Sequence, residues 1–234
     1  MKIRKLIFAL LLLLPVSAFS ENVTLQFFTS RGEILEKEVN ASTRLLMITE
    51  AFIPRSTVDE EVFIVDVSGF DQLKDLQILN VNALNNLSNF NFIGDIENLR
   101  ELYIHFCFVD SIKFLEKMKK LEIAEISMYV MEDKKELFIS EQVDLNNAIS
   151  LARINFHASV MNKEEDLLNF NNIPNLINVQ NQPVLDIGSC GIETIGPEQR
   201  VQLKQYSQIY LWPNPIIRDE LQIEALKDLN IVLK

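Results

Sequence analysis

The chain has few of the residues that catalytic and scaffold motifs are spelled with. Its 234 residues include two cysteines, two histidines, one tryptophan and six glycines. No glycine loop of the phosphate-cradling kind is present, and no GxSxG. The sequence therefore gives no sign of P-loop nucleotide chemistry or of a serine-hydrolase elbow. Basic residues are also scarce: 22 Lys and Arg stand against 33 Asp and Glu. Nucleic-acid binding draws on clustered Lys and Arg, so none is expected here. After the first twenty residues no stretch is apolar enough to span a bilayer. No motif calls for a cofactor.

Those first twenty residues, MKIRKLIFALLLLLPVSAFS, carry Lys2, Arg4 and Lys5 ahead of an apolar run from Leu6 to Leu14. Ala18 and Ser20 are small residues at the −3 and −1 positions of a cut before Glu21. This is the pattern of a secretory signal peptide, with an uncleaved anchor as the alternative. No cysteine follows the apolar run, which argues against a lipoprotein anchor. Cleavage would remove three basic residues and no acidic ones, taking the formal charge from −11 to −14. A chain so charged repels itself and resists non-specific association. Apolar residues make up 48% and are evenly spread, which excludes disorder. The 214 residues after the leader suit one extended domain or two small ones. The sequons at Asn22, Asn40 and Asn86 matter only in a eukaryotic secretory pathway. The Asn-, Ile-, Lys- and Phe-rich composition and the compact leader favour a bacterium, and a secreted, periplasmic or other cell-envelope location.

Residues 206–216, YSQIYLWPNPI, set apolar residues at 206, 209, 211 and 216 and an asparagine at 214. The same spelling recurs as Val62/Val65/Val67, Leu76/Leu79/Val81, Leu99/Leu102/Ile104, Leu121/Ala124/Ile126 and Leu151/Ile154/Phe156. Gln182/Leu185/Ile187, Tyr206/Ile209/Leu211 and Leu226/Leu229/Ile231 complete the series, with Thr43/Leu46/Ile48 as a degenerate earlier member. Successive anchors are 14, 23, 22, 30, 31, 24 and 20 residues apart. The pattern resembles the leucine-rich repeat, whose units run about 20–29 residues. The resemblance covers roughly residues 60–234 and is strongest at 99–112, 185–195 and the 206–216 stretch. One spacing is too short for it, two are too long, and several consensus leucines are Val, Ile or Ala.

The resemblance implies an α/β solenoid, of the irregular secreted bacterial type. A parallel β-sheet would line the concave face, with short helices or irregular turns on the convex one. Each unit gives one strand, strands stack about 4.8 Å apart, and alternate side chains point inward. No unit buries its apolar edge alone; the stack makes one continuous core. An inward Asn after the strand satisfies buried backbone groups of neighbouring turns, and Cys fits the same slot. Cys107 and Cys190 fall eight residues after their anchors, as Asn214 does. They would lie three turns, roughly 14 Å, apart, beyond the reach of about 7 Å that a disulfide allows. Two buried free thiols are expected; a bridge is the rival reading.

Helices are expected at 111–120, 197–206 and 218–229, and irregular turns around Leu87, Phe90 and Ile93. Charged insertions at 131–142 and 162–174 lengthen two units; solvated faces are their simplest role, a docking loop the other. Residues 21–60 read as an N-terminal cap, a β-hairpin across TSRG with 45–53 pairing next. The solenoid then spans 61–234. LNIVLK reads as a last strand with an open edge, available for self-association unless the charged Lys234 discourages it.

The register sorts outward positions into columns. The central one carries Asp66, Asn80, Tyr103, Glu125, Asn155, Asp186, Tyr210 and Asn230. Arg153 stands in the column before it; His105, His157 and Trp212 stand in the column after. This face holds both histidines and the only tryptophan, and aromatic residues often anchor protein interfaces. Exposed strand positions also favour such residues for β propensity alone. A Cys107–His105 catalytic pair is disfavoured because the register turns Cys107 inward. His105 and His157 lie about 10 Å apart, too far to share a zinc ion, and no metal site is expected. Glu125 with Asp186 could imitate a glycosidase dyad, on a surface too open for that chemistry. The expected function is non-enzymatic recognition of a protein, or of a glycan, on the concave face. The alternatives are an envelope assembly factor pairing through its edge, and a carboxylate-dependent glycan hydrolase.

Overall fold

A computed structural model describes residues 21–53, 62–84, 87, 89–161, 167–169 and 173–233. Residues 1–20, read above as a signal peptide, the Asn86 sequon, most of the 162–174 insertion and Lys234 lie outside the described residues. The strands are β1 (Asn22–Thr29), β2 (Ile34–Asn40), β3 (Leu45–Ile48), β4 (Ile64–Ser68), β5 (Ile78–Asn82), β6 (Glu101–Phe108) and β7 (Ile123–Met131). They continue as β8 (Gln142–Asp144), β9 (Arg153–Met161), β10 (Leu167–Asn169), β11 (Asn175–Ile177), β12 (Val184–Asp186), β13 (Gln208–Tyr210) and β14 (Ile231–Val232). The helices are α1 (Lys135–Ser140), α2 (Pro197–Leu203) and α3 (Glu220–Ala225).

Eight strands form one parallel sheet in the order β3-β5-β6-β7-β9-β12-β13-β14, with β10 antiparallel to β9 at its side. The alternation in the sequence explains which side is dry. Leu79 and Val81, Leu102 and Ile104, Ala124 and Ile126, Ile154 and Phe156, Leu185 and Ile209 are all buried on one face. Their neighbours Asn80, Tyr103, Glu125, Asn155, Asp186 and Tyr210 pair rung by rung on the other.

Between strands the chain returns behind the core. Short 3-10 helices at Phe70–Gln72, Asn91–Asp95 and Lys113–Lys117 drive Phe70, Phe92, Phe114 and Leu115 into it. Phe70 and Phe92 meet at 4.6 Å between ring centroids. The two long returns use their extra residues to make a second, two-stranded parallel sheet of β8 and β11. Of the three expected helices, 111–120 tightens to the 3-10 turn at 113–117, while α2 and α3 form within 197–206 and 218–229. Pro197 opens α2, and Asp219 caps α3 by accepting from the Leu221 and Gln222 amides at 3.0 and 3.1 Å. The 131–142 insertion is ordered: it makes a 3-10 turn, then α1 and the start of β8.

The N-terminal hairpin forms as β1 and β2. The boundary beyond it differs from the expected cap. β3 joins the parallel sheet beside β5, and β4 pairs antiparallel with β1 in a three-stranded sheet. The first unit's register is corrected too: Ile64 and Val67 are buried while Val65 is 50% exposed. The nine residues between β4 and β5 explain the exchange, because a parallel crossover needs a dozen or more. The run V-F-I-V-D-V is apolar on both faces, so its pattern could not choose. Gly69, at φ +92°, then turns the chain where an added Cβ would meet the Thr24 carbonyl at 2.5 Å.

The last strand is shifted as well. Tyr210 faces Val232, not Asn230, because Leu226 and Leu229 stay buried in the turn after α3. Asn230 instead gives its amide to the Ser207 carbonyl. No helix among the described residues is long and apolar enough to cross a membrane.

Candidate binding face

The outward rungs bring together nine of the eleven residues singled out in the sequence. Asn80, Tyr103, Glu125, Asn155, Asp186 and Tyr210 form the central row, with Met47 before Asn80. Arg153 flanks it on one side, His105 and His157 on the other. Trp212 lies just past the end of β13 and is 56% exposed. Asp66 does not belong: it stands on β4 in the antiparallel sheet and caps the Val67 amide beside it.

An open hollow of about 260 Å³ sits in this face. Glu125, Ser127, Asn155, His157, Asp186 and Gly188 help to line it. The Asn155 amide reaches the Glu125 carboxylate at 3.4 Å and its oxygen accepts from Arg153 Nε at 2.8 Å. The Arg153 guanidinium extends to within 3.7 Å of Asp186, whose other oxygen takes the Gly188 amide at 3.1 Å. Ser127 Oγ and His157 Nδ1 are 3.4 Å apart. Gly188 is required by space: a Cβ there would lie 2.2 Å from the Trp212 carbonyl.

Beside the hollow lies a band of rings. Tyr103 and His105 stack at 6.3 Å with an 18° tilt; Phe106 meets His105 at 6.3 Å and Tyr129 at 6.5 Å; Phe108 meets Tyr129 at 5.7 Å. The Tyr103 hydroxyl donates to Glu101 at 2.9 Å, and that bond, with desolvation and the Glu101 and Glu125 charges, holds its pKa above the usual value. His105 Nε2 is 3.6 Å from Glu125, joining the rings to the hollow. Phe106, Phe108 and Tyr129 were not picked out in the sequence. The signal was there in HFCF: an inward Cys107 sends its neighbours outward.

The cysteines sit beneath this face, buried and unbonded. Cys107 Sγ lies 3.8 Å from the Val81 carbonyl and 3.2 Å from that of His105; Cys190 Sγ lies 3.1 Å from the Phe156 carbonyl. Burial pushes the thiols up to about 11 and about 12. Asn214 fills the equivalent slot, donating to the Ile187 and Leu211 carbonyls at 2.7 and 2.8 Å and accepting from the Ile192 amide at 3.1 Å.

A second hollow, of about 430 Å³, opens where the strands begin, between Lys74, Arg100 and Lys120. Its cations are already engaged by Glu97, Glu122 and Asn98. The described residues contain no group of three or more His, Cys, Asp and Glu side chains placed to hold a metal ion. No family model matches the chain, and neither does any curated protein.

Proposed function

We propose that the chain is a non-catalytic recognition module that takes a protein partner on the outward face of its parallel sheet. In this reading the sheet is the concave side of a leucine-rich-repeat-like solenoid, exported by the leader and working outside the cytoplasm or in the cell envelope. The reading rests on one observation: the outward face of the eight-stranded sheet, polar and aromatic along its central row from β5 to β13 and uncovered among the described residues, with an open hollow in it. Large rigid rings there offer contact area at small entropic cost. The openness of the hollow speaks against an enclosed reaction chamber. Replacing Tyr103 and Tyr210 together by alanine is expected to weaken capture of the partner about a hundredfold or more, as loss of two aromatic anchors does. The fold should persist, since both rings lie on the outward face. Binding of the partner from the source organism's envelope, compared for the two chains, is the check; undiminished capture by the double variant would place the surface elsewhere.

Self-association through β14 is the second reading, supported by its single pairing among the described residues, to β13. Light scattering across a concentration series tests it. The hydrolase reading has the Glu125–Asp186 pair in its favour, and loss of glycan turnover in Glu125→Gln would support it.

A further inference from the structure

We propose that the partner presents a basic segment, with an arginine or lysine side chain seated at Glu125 and the adjoining residues laid across Tyr103, His105, Phe106 and Tyr129. This deepens the recognition reading above and rests on it. Two independent observations carry it.

The first is the conformation of Phe106. The ladder between β6 and β7 slips by one residue between His105 and Cys107, and Phe106 occupies the extra position at φ 53°. Two other units bend at the same place, seven residues after their anchors, using Ala83 at φ 52° and Ser189 at φ 58°. Left-handed backbone is unfavourable for a bulky side chain, and small residues serve the turn well. Phe106 nevertheless stands here with 53% of its surface in water. Neither the turn nor the core accounts for it, and a strained, exposed ring beside three others is the form a contact surface takes.

The second is charge. Among the described residues of this face, Glu101, Glu125 and Asp186 stand against one cation, Arg153. Arg153 already lies along Asn155 and Asp186. Among the described residues, Glu101 has the Tyr103 hydroxyl, and Glu125 has the Asn155 amide and the His105 ring. No lysine or arginine pairs with either glutamate among the described residues. The whole chain carries a formal charge of −11. Carboxylates set among ring faces complement a guanidinium or ammonium, which each ring attracts through its quadrupole and each carboxylate through charge. An acidic partner would be repelled, and a neutral glycan would leave the glutamates without a counter-charge. The segment would approach down a field that salt screens.

The test uses fluorescently labelled short peptides of alternating Arg–Ser, Glu–Ser and Gly–Ser, with maltotetraose as a neutral competitor. The Arg–Ser peptide is expected to bind, the other two to fail, and maltotetraose not to compete. Affinity should fall steeply between about 0.05 M and about 0.5 M sodium chloride. Glu125→Gln and Phe106→Ser should each weaken it about five- to tenfold, with Glu198→Gln on α2 as an unaffected control. Ser at 106 is the residue the turn at 189 uses, and circular dichroism confirms the fold. No binding of Arg–Ser at millimolar concentration would overturn the proposal. So would binding reduced as much by Glu198→Gln as by Glu125→Gln, which marks diffuse attraction to an acidic surface. Binding of Gly–Ser, or competition by maltotetraose, that is lost in Phe106→Ser and kept in Glu125→Gln would overturn the basic partner and leave the recognition reading standing. That reading falls separately, if Tyr103→Ala with Tyr210→Ala captures the native partner undiminished.

Discussion

Asn214→Ala is expected to destabilise the chain by about 3 kcal/mol, from the Ile187 carbonyl and the Ile192 amide left buried without partners at about 1–3 kcal/mol each, partly relieved by relaxation; the Leu211 carbonyl keeps the Asn214 backbone amide at 2.8 Å. Asn214 is 1% exposed, and its amide group is fastened to the Ile187 carbonyl of one turn and the Leu211 carbonyl of its own. Its oxygen holds the Ile192 amide. Water cannot enter to replace these bonds without opening the core between β12 and β13. The effect in a thermal melt is a fall of about 10 °C for a chain of this size. Asn214→Cys should fall between wild type and alanine. Cysteine occupies the matching slot at 107 and 190, where its sulfur lies against a neighbouring turn's carbonyl. A cysteine variant no better than alanine would mean that the slot needs volume and not hydrogen bonding.

Gly188→Ala is expected to cost about 3 kcal/mol, the upper end for a small residue forced into a packed place. A Cβ at 188 would sit 2.2 Å from the Trp212 carbonyl and 3.2 Å from the Asp186 carboxylate. The first contact is backbone, so the turn after β13 must move bodily. On the proposed recognition reading the same substitution should also reduce partner binding, because Gly188 lines the hollow. Denaturant melts and binding of the folded fraction separate the two effects. Unchanged stability would mean that β12 and β13 are spaced more widely than their paired rungs Val184–Gln208, Leu185–Ile209 and Asp186–Tyr210 imply.

Much of this was legible in the spelling of the chain. Leu102 and Ile104, or Leu185 and Ile187, alternate with polar neighbours, and that alternation alone decides which face is dry. The inward placement of Cys107, Cys190 and Asn214 follows from one shared offset. Where both faces of a strand are apolar, as in residues 62–67, alternation carries no information, and chain length decided the pairing. In the last unit Leu226, Leu229 and Ile231 offered two registers, and the Asn230 side chain holding the Ser207 carbonyl marks the one adopted. The outward rings at 106 and 108 were readable from an inward Cys107; their meeting with Tyr129 depends on a one-residue slip in the ladder that no periodic pattern reveals. The meeting of Glu125, Asn155 and Asp186 was readable as soon as the register was known; the hollow they help to line was not.

The account stands on alternate side chains being shared between stacked strands, with Cys107 and Cys190 sunk in that core three strands apart. Alkylation followed by intact mass tests this most directly. The native chain is predicted to take up no label across pH 7–9, since burial raises both thiols to about 11 and about 12. In denaturant without reductant it should take up two, one per cysteine. Labelling of the native chain within minutes, or a denatured chain that accepts label only after reduction, would contradict the stacking and remove the face built upon it.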